Sequence, residues 1–203
     1  MSDVNLAARQ RMLSQRVVFQ TMLAVQGKEA FATTAQQTLR LFRESQHKLE
    51  AKPTALGGEA ARILHEVYHG ADGVSPIVED FADKVARTLQ LAGAGSPGAE
   101  QALAELVEST DGALAALNAA TAAFDQVAKA DSEHLLSELA QIVTSIQAIA
   151  REAKMVSFNA RVVAARAGNV GREFAVVANV LSDITTEIDG LSLQAVNLAA
   201  QHR

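Results

Sequence analysis

Residues 139–163 read LAQIVTSIQAIAREAKMVSFNARVV, and residues 174–198 read FAVVANVLSDITTEIDGLSLQAVNL. In the first stretch Leu139, Ile142, Ile146, Ile149, Ala153, Val156, Ala160 and Val163 follow alternating steps of three and four. In the second, Phe174, Val177, Leu181, Ile184, Ile188, Leu191, Ala195 and Leu198 do the same. Such steps place apolar side chains on one stripe of a helix, the pattern of a coiled-coil seam. Gly168 and Gly171 interrupt it. Paired outward from that break, Val163 faces Phe174, Ile149 faces Ile188 and Leu139 faces Leu198, and the two numbers of each pair sum to 337. Two helices folded back at Gly168-Asn169 would match layer for layer. The pattern predicts a long antiparallel coiled-coil hairpin over residues 134–203. A lone two-helix hairpin leaves apolar surface uncovered, so pairing with a second copy into a four-helix bundle is expected, and with it a homodimer.

The rest of the chain reads as helix too. Ser2 or Asp3 caps a first helix to about Gln26, and Gly27-Lys28 marks a turn. A second helix runs from about Glu29 to Ala51, with Ala35, Leu39, Phe42, Gln46 and Leu49 at coiled-coil spacing. Lys52 to Gly58 reads as a loop, followed by a short helix to His69. Ser75-Pro76 and Ser96-Pro97 each read as a cap followed by Pro at the first helical position. The first opens a helix to about Leu91, and the second opens one long helix to Ala167. That helix carries Leu114, Leu117, Thr121, Phe124, Ala128 and Asp131, then two successive steps of four to Leu135 and Leu139. Successive fours are a stutter that locally unwinds a coiled coil, and the domain junction is placed there. The expected fold is all-α: a helical-bundle module over residues 1–133, continuing into the hairpin of residues 134–203.

Composition narrows the function classes. Of 203 residues 49% are hydrophobic and only 4% aromatic, which suits long helices with small residues at close contacts. The net charge of −5 is spread without long blocks, so no nucleic-acid-binding face is expected. The absence of Cys removes disulfides and thiol nucleophiles. The start lacks signal-peptide character, and no apolar run approaches the roughly 20 residues a membrane span needs. A cytoplasmic protein without membrane insertion is the expectation.

Residues Asn159-Ala160, Ala164-Ala-Arg-Ala-Gly168, Gly171-Arg172 and Phe174-Ala-Val-Val-Ala178 resemble the hairpin tip of methyl-accepting chemotaxis receptors. In that family the tip binds a histidine autokinase and its coupling protein, and the receptors are dimers that can group in threes. The resemblance implies a partner-binding tip made of Asn159, Arg161, Arg166, Gly168, Asn169, Gly171, Arg172 and Phe174. Several family residues are replaced. Glu152-Ala153-Lys154 stands where Gln-Thr-Asn is usual, Val163, Asn169 and Val180 stand where Glu is usual, and Glu173 stands where Gly is usual. From Arg151 to Arg172 there are five basic residues and one acidic one, Glu152, a balance that favours an acidic partner surface. The family's methylated Glu and Gln lie further from the tip than this hairpin extends, so adaptation by methylation is not expected.

A second resemblance lies in Arg9-Gln-Arg-Met-Leu-Ser-Gln-Arg16, which is similar to the first-helix motif of the sensory domain in type IV pilus methyl-accepting transducers and nitrate/nitrite sensor kinases. Those domains are four-helix bundles, and in the sensor kinases an Arg of the first helix holds the anion at the dimer interface. The resemblance implies a small-molecule site, with an anion as the first candidate, using Arg9, Arg11, Gln15 and Arg16. Arg9 and Arg16 are seven apart and share a helix face, so two-fold symmetry would duplicate them around a planar anion. The competing reading pairs these Arg residues with acids on neighbouring helices.

His65-Glu66-Val67-Tyr68-His69 fits the metalloprotease pattern H-E-x-x-H, but Gly70 ends the helix and no strand pattern could form a substrate edge. His65 and His69 stand as weak candidates for a metal or haem sensor. His47, His134 and His202 are scattered, and no Ser, His and Asp set forms a triad. The sequence thus predicts a signal transducer that is not an enzyme and carries no cofactor. A scaffold or decoy that binds chemotaxis components without sensing is the alternative.

Overall fold

A computed structural model describes residues 2–201; His202 and Arg203 lie outside the described residues, as does Met1. All described secondary structure is helical. The elements are α1 (Asp3–Val25), α2 (Ala30–Glu50), α3 (Lys52–Ala55), α4 (Gly58–His69), α5 (Val74–Gly93), α6 (Ala99–Arg166), a 3-10 turn at Gly168–Gly171, and α7 (Arg172–Gln201). The chain divides between Ala130 and Asp131, inside α6, into two compact units. No helix among the described residues is long and apolar enough to cross a membrane.

In the first unit the helix ends obey local rules. The Ser2 hydroxyl accepts from the Asn5 N–H at 3.3 Å, and Asp3 sits in the positive first turn of α1. At the other end Lys28 N–H reaches back to the Leu23 carbonyl at 3.1 Å across Gly27, closing the helix with a left-handed residue. Three expected boundaries move. Lys52 to Ala55 is not loop but one helical turn, with Pro53 as its second residue, where no N–H is needed. α5 opens at Val74 with Gly73 as its N-cap, and Ser75 does not cap: its hydroxyl is buried without a partner among the described residues. Pro76 still lies in the first turn, where its missing N–H costs nothing. α6 opens at Ala99 because Ser96 instead forms a tight turn, its hydroxyl accepting from Gly98 N–H at 3.3 Å.

The apolar stripes of α1, α2 and α5 close on one core, and Leu106, Leu117 and Phe124 of α6 belong to it. On α2 the buried positions include all five of Ala35, Leu39, Phe42, Gln46 and Leu49. Phe42 meets Phe81 edge-on at 5.8 Å, and Tyr68 of α4 meets Phe124 at 6.2 Å. Removing a fully buried ring such as Phe42 would cost about 3–5 kcal/mol. On α6 the expected line of Leu117, Thr121 and Phe124 is buried, but Ala128 and Asp131 are exposed and Val127 takes the inward place.

The second unit consists of the C-terminal part of α6, the turn and α7, with the two arms side by side in opposite directions. Ser157 Oγ donates to the Ala178 carbonyl at 2.5 Å, and Gly171 lies directly against the Ala164 backbone. The buried positions are Val143, Ala150, Ser157 and Ala164 on one arm, and Gly171, Ala178, Thr185 and Ser192 on the other. Each set repeats at seven residues, and the facing pairs sum to 335. This corrects the register expected from the apolar pattern. Ile142, Ile149, Val156, Val163, Phe174, Val177 and Leu191 are all exposed in the single chain. The physical reason is size. Small side chains let two helix backbones approach closely, whereas the larger apolar residues stand on the neighbouring stripe.

Candidate functional site

The N-terminal octet spans two full turns of α1, and the structure sorts its residues by burial. Gln10, Leu13 and Ser14 are buried, Arg9 is half-buried, and Arg11, Gln15 and Arg16 are exposed. Arg11 Nη1 donates to Asn118 Oδ1 on α6 at 3.0 Å, so this guanidinium is already engaged. Neither Arg9 nor Arg16 forms an ion pair among the described residues, so pairing with neighbouring acids does not account for them. Met12, between them, is 56% exposed, and Leu13 belongs to the core.

The residue of the octet that the sequence reading passed over is Gln10. Its Nε2 donates to the Phe42 carbonyl at 3.0 Å and to Gln46 Oε1 at 3.1 Å, tying α1 to α2. Gln46 in turn reaches Glu50 at 3.3 Å. The Gln10 Oε1 has no partner among the described residues, and neither has the buried Tyr68 hydroxyl. Burial pushes the Tyr68 hydroxyl above its ordinary range, and the nearby Glu50 charge adds to the effect. A polar residue at a helical apolar position was the available signal for Gln10. The spacing of Gln10 to Leu13, Ser14 and Val17 is that of a buried stripe.

His65 and His69 lie on the exposed side of α4 with ring centroids 5.1 Å apart. Among the described residues no group of three His, Cys, Asp or Glu is placed to hold a metal ion.

At the far turn, Gly168 has φ of +61°, which a Cβ would disfavour, and a Cβ on Gly171 would run into the Ala164 carbonyl. These two glycines let α6 pass into α7 within one 3-10 turn. Of the expected tip residues, Asn159, Arg161, Arg166, Asn169, Arg172 and Phe174 are exposed; Gly168 is exposed and Gly171 buried. Val170 at the apex is 89% exposed. The Arg161 guanidinium lies 5.9 Å from the centre of the Phe158 ring.

The buried seven-residue repeat fixes what each flank carries. Take Ala150, Ser157 and Ala164 as the inward positions of α6, with Gly171, Ala178 and Thr185 as those of α7. A line of exposed large apolar residues falls one or four places before an inward position: Ile146, Ile149, Val156 and Val163, with Phe174, Val177 and Ile184; Met155, Phe158, Val162, Val176 and Val180 lie at other offsets. The cations Arg151, Lys154, Arg161 and Arg172 fall one or four places after one. At about 100° per residue these offsets lie on opposite flanks of each helix. Because the arms run in opposite directions, equal offsets on both arms come out on the same side. One flank of the pair is therefore apolar along both arms, and the other is basic near the turn.

Comparison of the chain with family models, with curated proteins and with solved structures gives no match.

Proposed function

We propose that this chain is a cytoplasmic signal transducer of the chemoreceptor type. Its N-terminal unit, read as a helical bundle, binds a small ligand, with an anion as first candidate. Its C-terminal unit, read as a coiled-coil hairpin, signals through the turn to a chemotaxis-type histidine kinase or coupling protein. The observation that carries this reading is the division of labour in the second unit. Small residues close the arms on each other, large apolar residues line one flank, and the tip residues Asn159, Arg161, Arg166, Asn169, Arg172 and Phe174 face outward.

An apolar flank two helices wide suits a second copy of itself. Over about 25 residues per arm it measures roughly 37 Å by 20 Å, on the order of 750 Å² per partner, close to the area a stable interface buries. Two copies apposed on this flank make a four-helix bundle and a homodimer. In the first unit, Arg9 and Arg16 supply guanidinium groups without an acid partner among the described residues, with Gln15 beside them and Arg11 held by Asn118. The ligand state then acts on the packing of α1 against α2 through Gln10, and α6, which runs through both units, is the element they share.

The test has two arms. A thermal-shift panel of nitrate, nitrite and small carboxylates should raise the melting temperature with one of them, because a ligand that binds only the folded state stabilises it. Arg9→Ala and Arg16→Ala should remove most of that rise. A pull-down with purified chemotaxis kinase and coupling protein should retain them and lose them with Arg166→Glu, an exposed tip residue off the apolar flank. Retention of the partners with no anion response would replace sensing with scaffolding; loss of both removes the reading.

A further inference from the structure

We propose that the flank of the second unit opposite its apolar face docks an acidic helical surface of a protein partner, through Arg151, Lys154, Arg161 and Arg172. The inference rests on reading this unit as the signalling end of the chain, and it names the chemistry of what that end meets.

Four observations converge on it. The four cations share one flank by the offsets derived above, and Arg151 to Ala164 spans about 20 Å at 1.5 Å per residue. None of the four forms an ion pair among the described residues. In the first unit Arg43, Lys52, Arg62, Lys84 and Arg87 form ion pairs, while Arg9 and Arg16 do not. Between Arg151 and Thr186 the same offsets hold no carboxylate on either arm: the α7 side of this flank is Ala175, Asn179, Ser182 and Thr186. Glu152, Glu173 and Asp183 fall at other offsets, and the first carboxylate at these offsets, Asp189, lies beyond Arg151 on the side away from the turn. Finally, Arg161 lies against Phe158, which holds one guanidinium along the flank.

The shape favours a protein helix over a lipid surface. A helix lying on a membrane needs apolar residues between its cations. Here Phe158 is the one large apolar side chain at the offsets of the α6 cations, and Arg161 already lies beside it, while Met155 and Val162 stand on the neighbouring outward stripe. The partner arm offers Asn and hydroxyl groups instead, which suit hydrogen bonding to carboxylates and side-chain amides. A row of cations one helix wide, next to a shallow polar arm, matches a helix with Glu at three- and four-residue spacing.

The experiment uses the full chain and a fluorescent helical peptide with Glu along one face, beside a twin in which Gln replaces each Glu. Anisotropy should show binding of the Glu peptide only, weakening as salt rises. The double variant Lys154→Glu/Arg161→Glu should weaken it by about tenfold or more. Lys28→Glu/Lys48→Glu, an equal charge change in the first unit, should leave it unchanged. Circular dichroism checks that each variant keeps its helix. Equal binding of the Gln twin, no response to salt or to the double variant, or preference for vesicles of phosphatidylcholine and phosphatidylglycerol would overturn the proposal. Capture of a coupling protein that survives the double variant would overturn the flank and leave the chemoreceptor reading standing. Peptide binding through the flank without any kinase or coupling-protein binding would do the reverse.

Discussion

Ser157 and Ala178 face each other across the two arms of the second unit, joined by a hydrogen bond of 2.5 Å from a hydroxyl to a main-chain carbonyl. This contact sets the register from which the two flanks follow, and it is directly testable. With Ala150→Cys and Thr185→Cys, whose positions sum to 335, an intramolecular disulfide should form within minutes of mild oxidation. With Ile149→Cys and Ile188→Cys, which sum to 337, it should form far more slowly inside one chain. Faster closure of the second pair would restore the register of the apolar pattern.

The turn gives a paired prediction on glycine. Gly171→Ala places a methyl group against the Ala164 backbone and should destabilise the second unit by about 1–3 kcal/mol. Gly190→Ala meets nothing within 4 Å, and should stabilise α7 by about 0.5–1 kcal/mol through helix propensity. Urea unfolding followed by circular dichroism measures both. Equal effects of the two changes would mean that the arms do not touch at the turn.

The apolar flank yields a prediction on mass. Ile149 is exposed in the single chain, so Ile149→Asp should leave helix content nearly intact while abolishing self-association. Light scattering of the unaltered protein should give about twice the 21.4 kDa chain mass, and the variant close to one. A variant that remains dimeric would place the interface elsewhere.

Tyr68 gives the pH prediction. Its hydroxyl is buried without a partner among the described residues, and burial raises its pKa above the ordinary value near 10. The folded state therefore favours the neutral phenol. Its contribution is fully present below the unfolded pKa and is lost as pH climbs above it, because the unfolded chain ionises first. Tyr68→Phe should flatten this alkaline loss. At neutral pH it should be neutral or stabilising by about 1 kcal/mol, since no hydrogen bond is removed. A large loss at neutral pH would reveal a partner for the hydroxyl.

The helices were legible because periodicity and capping act locally. Ser2, Gly27, the stripe from Ala35 to Leu49 and the stop at Gly70 all lie within a turn or two of the residues that decide them. The arm register was not. Reading by hydrophobicity selects Ile149 and Val156, the residues with most to bury, whereas the close contact within one chain goes to Ala150 and Ser157, which stand one place along and permit backbone approach. Two stripes lie one residue apart, one closed within the chain and one exposed, and a single hydrophobic pattern reports only the more apolar of them. The N-terminal octet shows the same limit. Charge and resemblance point to Arg9 and Arg16, and only the folded chain reveals that Gln10 ties that helix to its neighbour.

The seven-residue spacing of the small inward positions has one more consequence. A slide of either arm by seven residues again sets small residue against small residue, Ser157 meeting Thr185 or Gly171 in place of Ala178. The seam by itself thus offers several nearly equivalent alignments. What selects one of them is the connecting turn, whose glycines allow no slack between Ala164 and Gly171. Cutting the chain at Asn169 should turn a single alignment into a ladder of alternatives, so the turn acts as the vernier of a ruled scale.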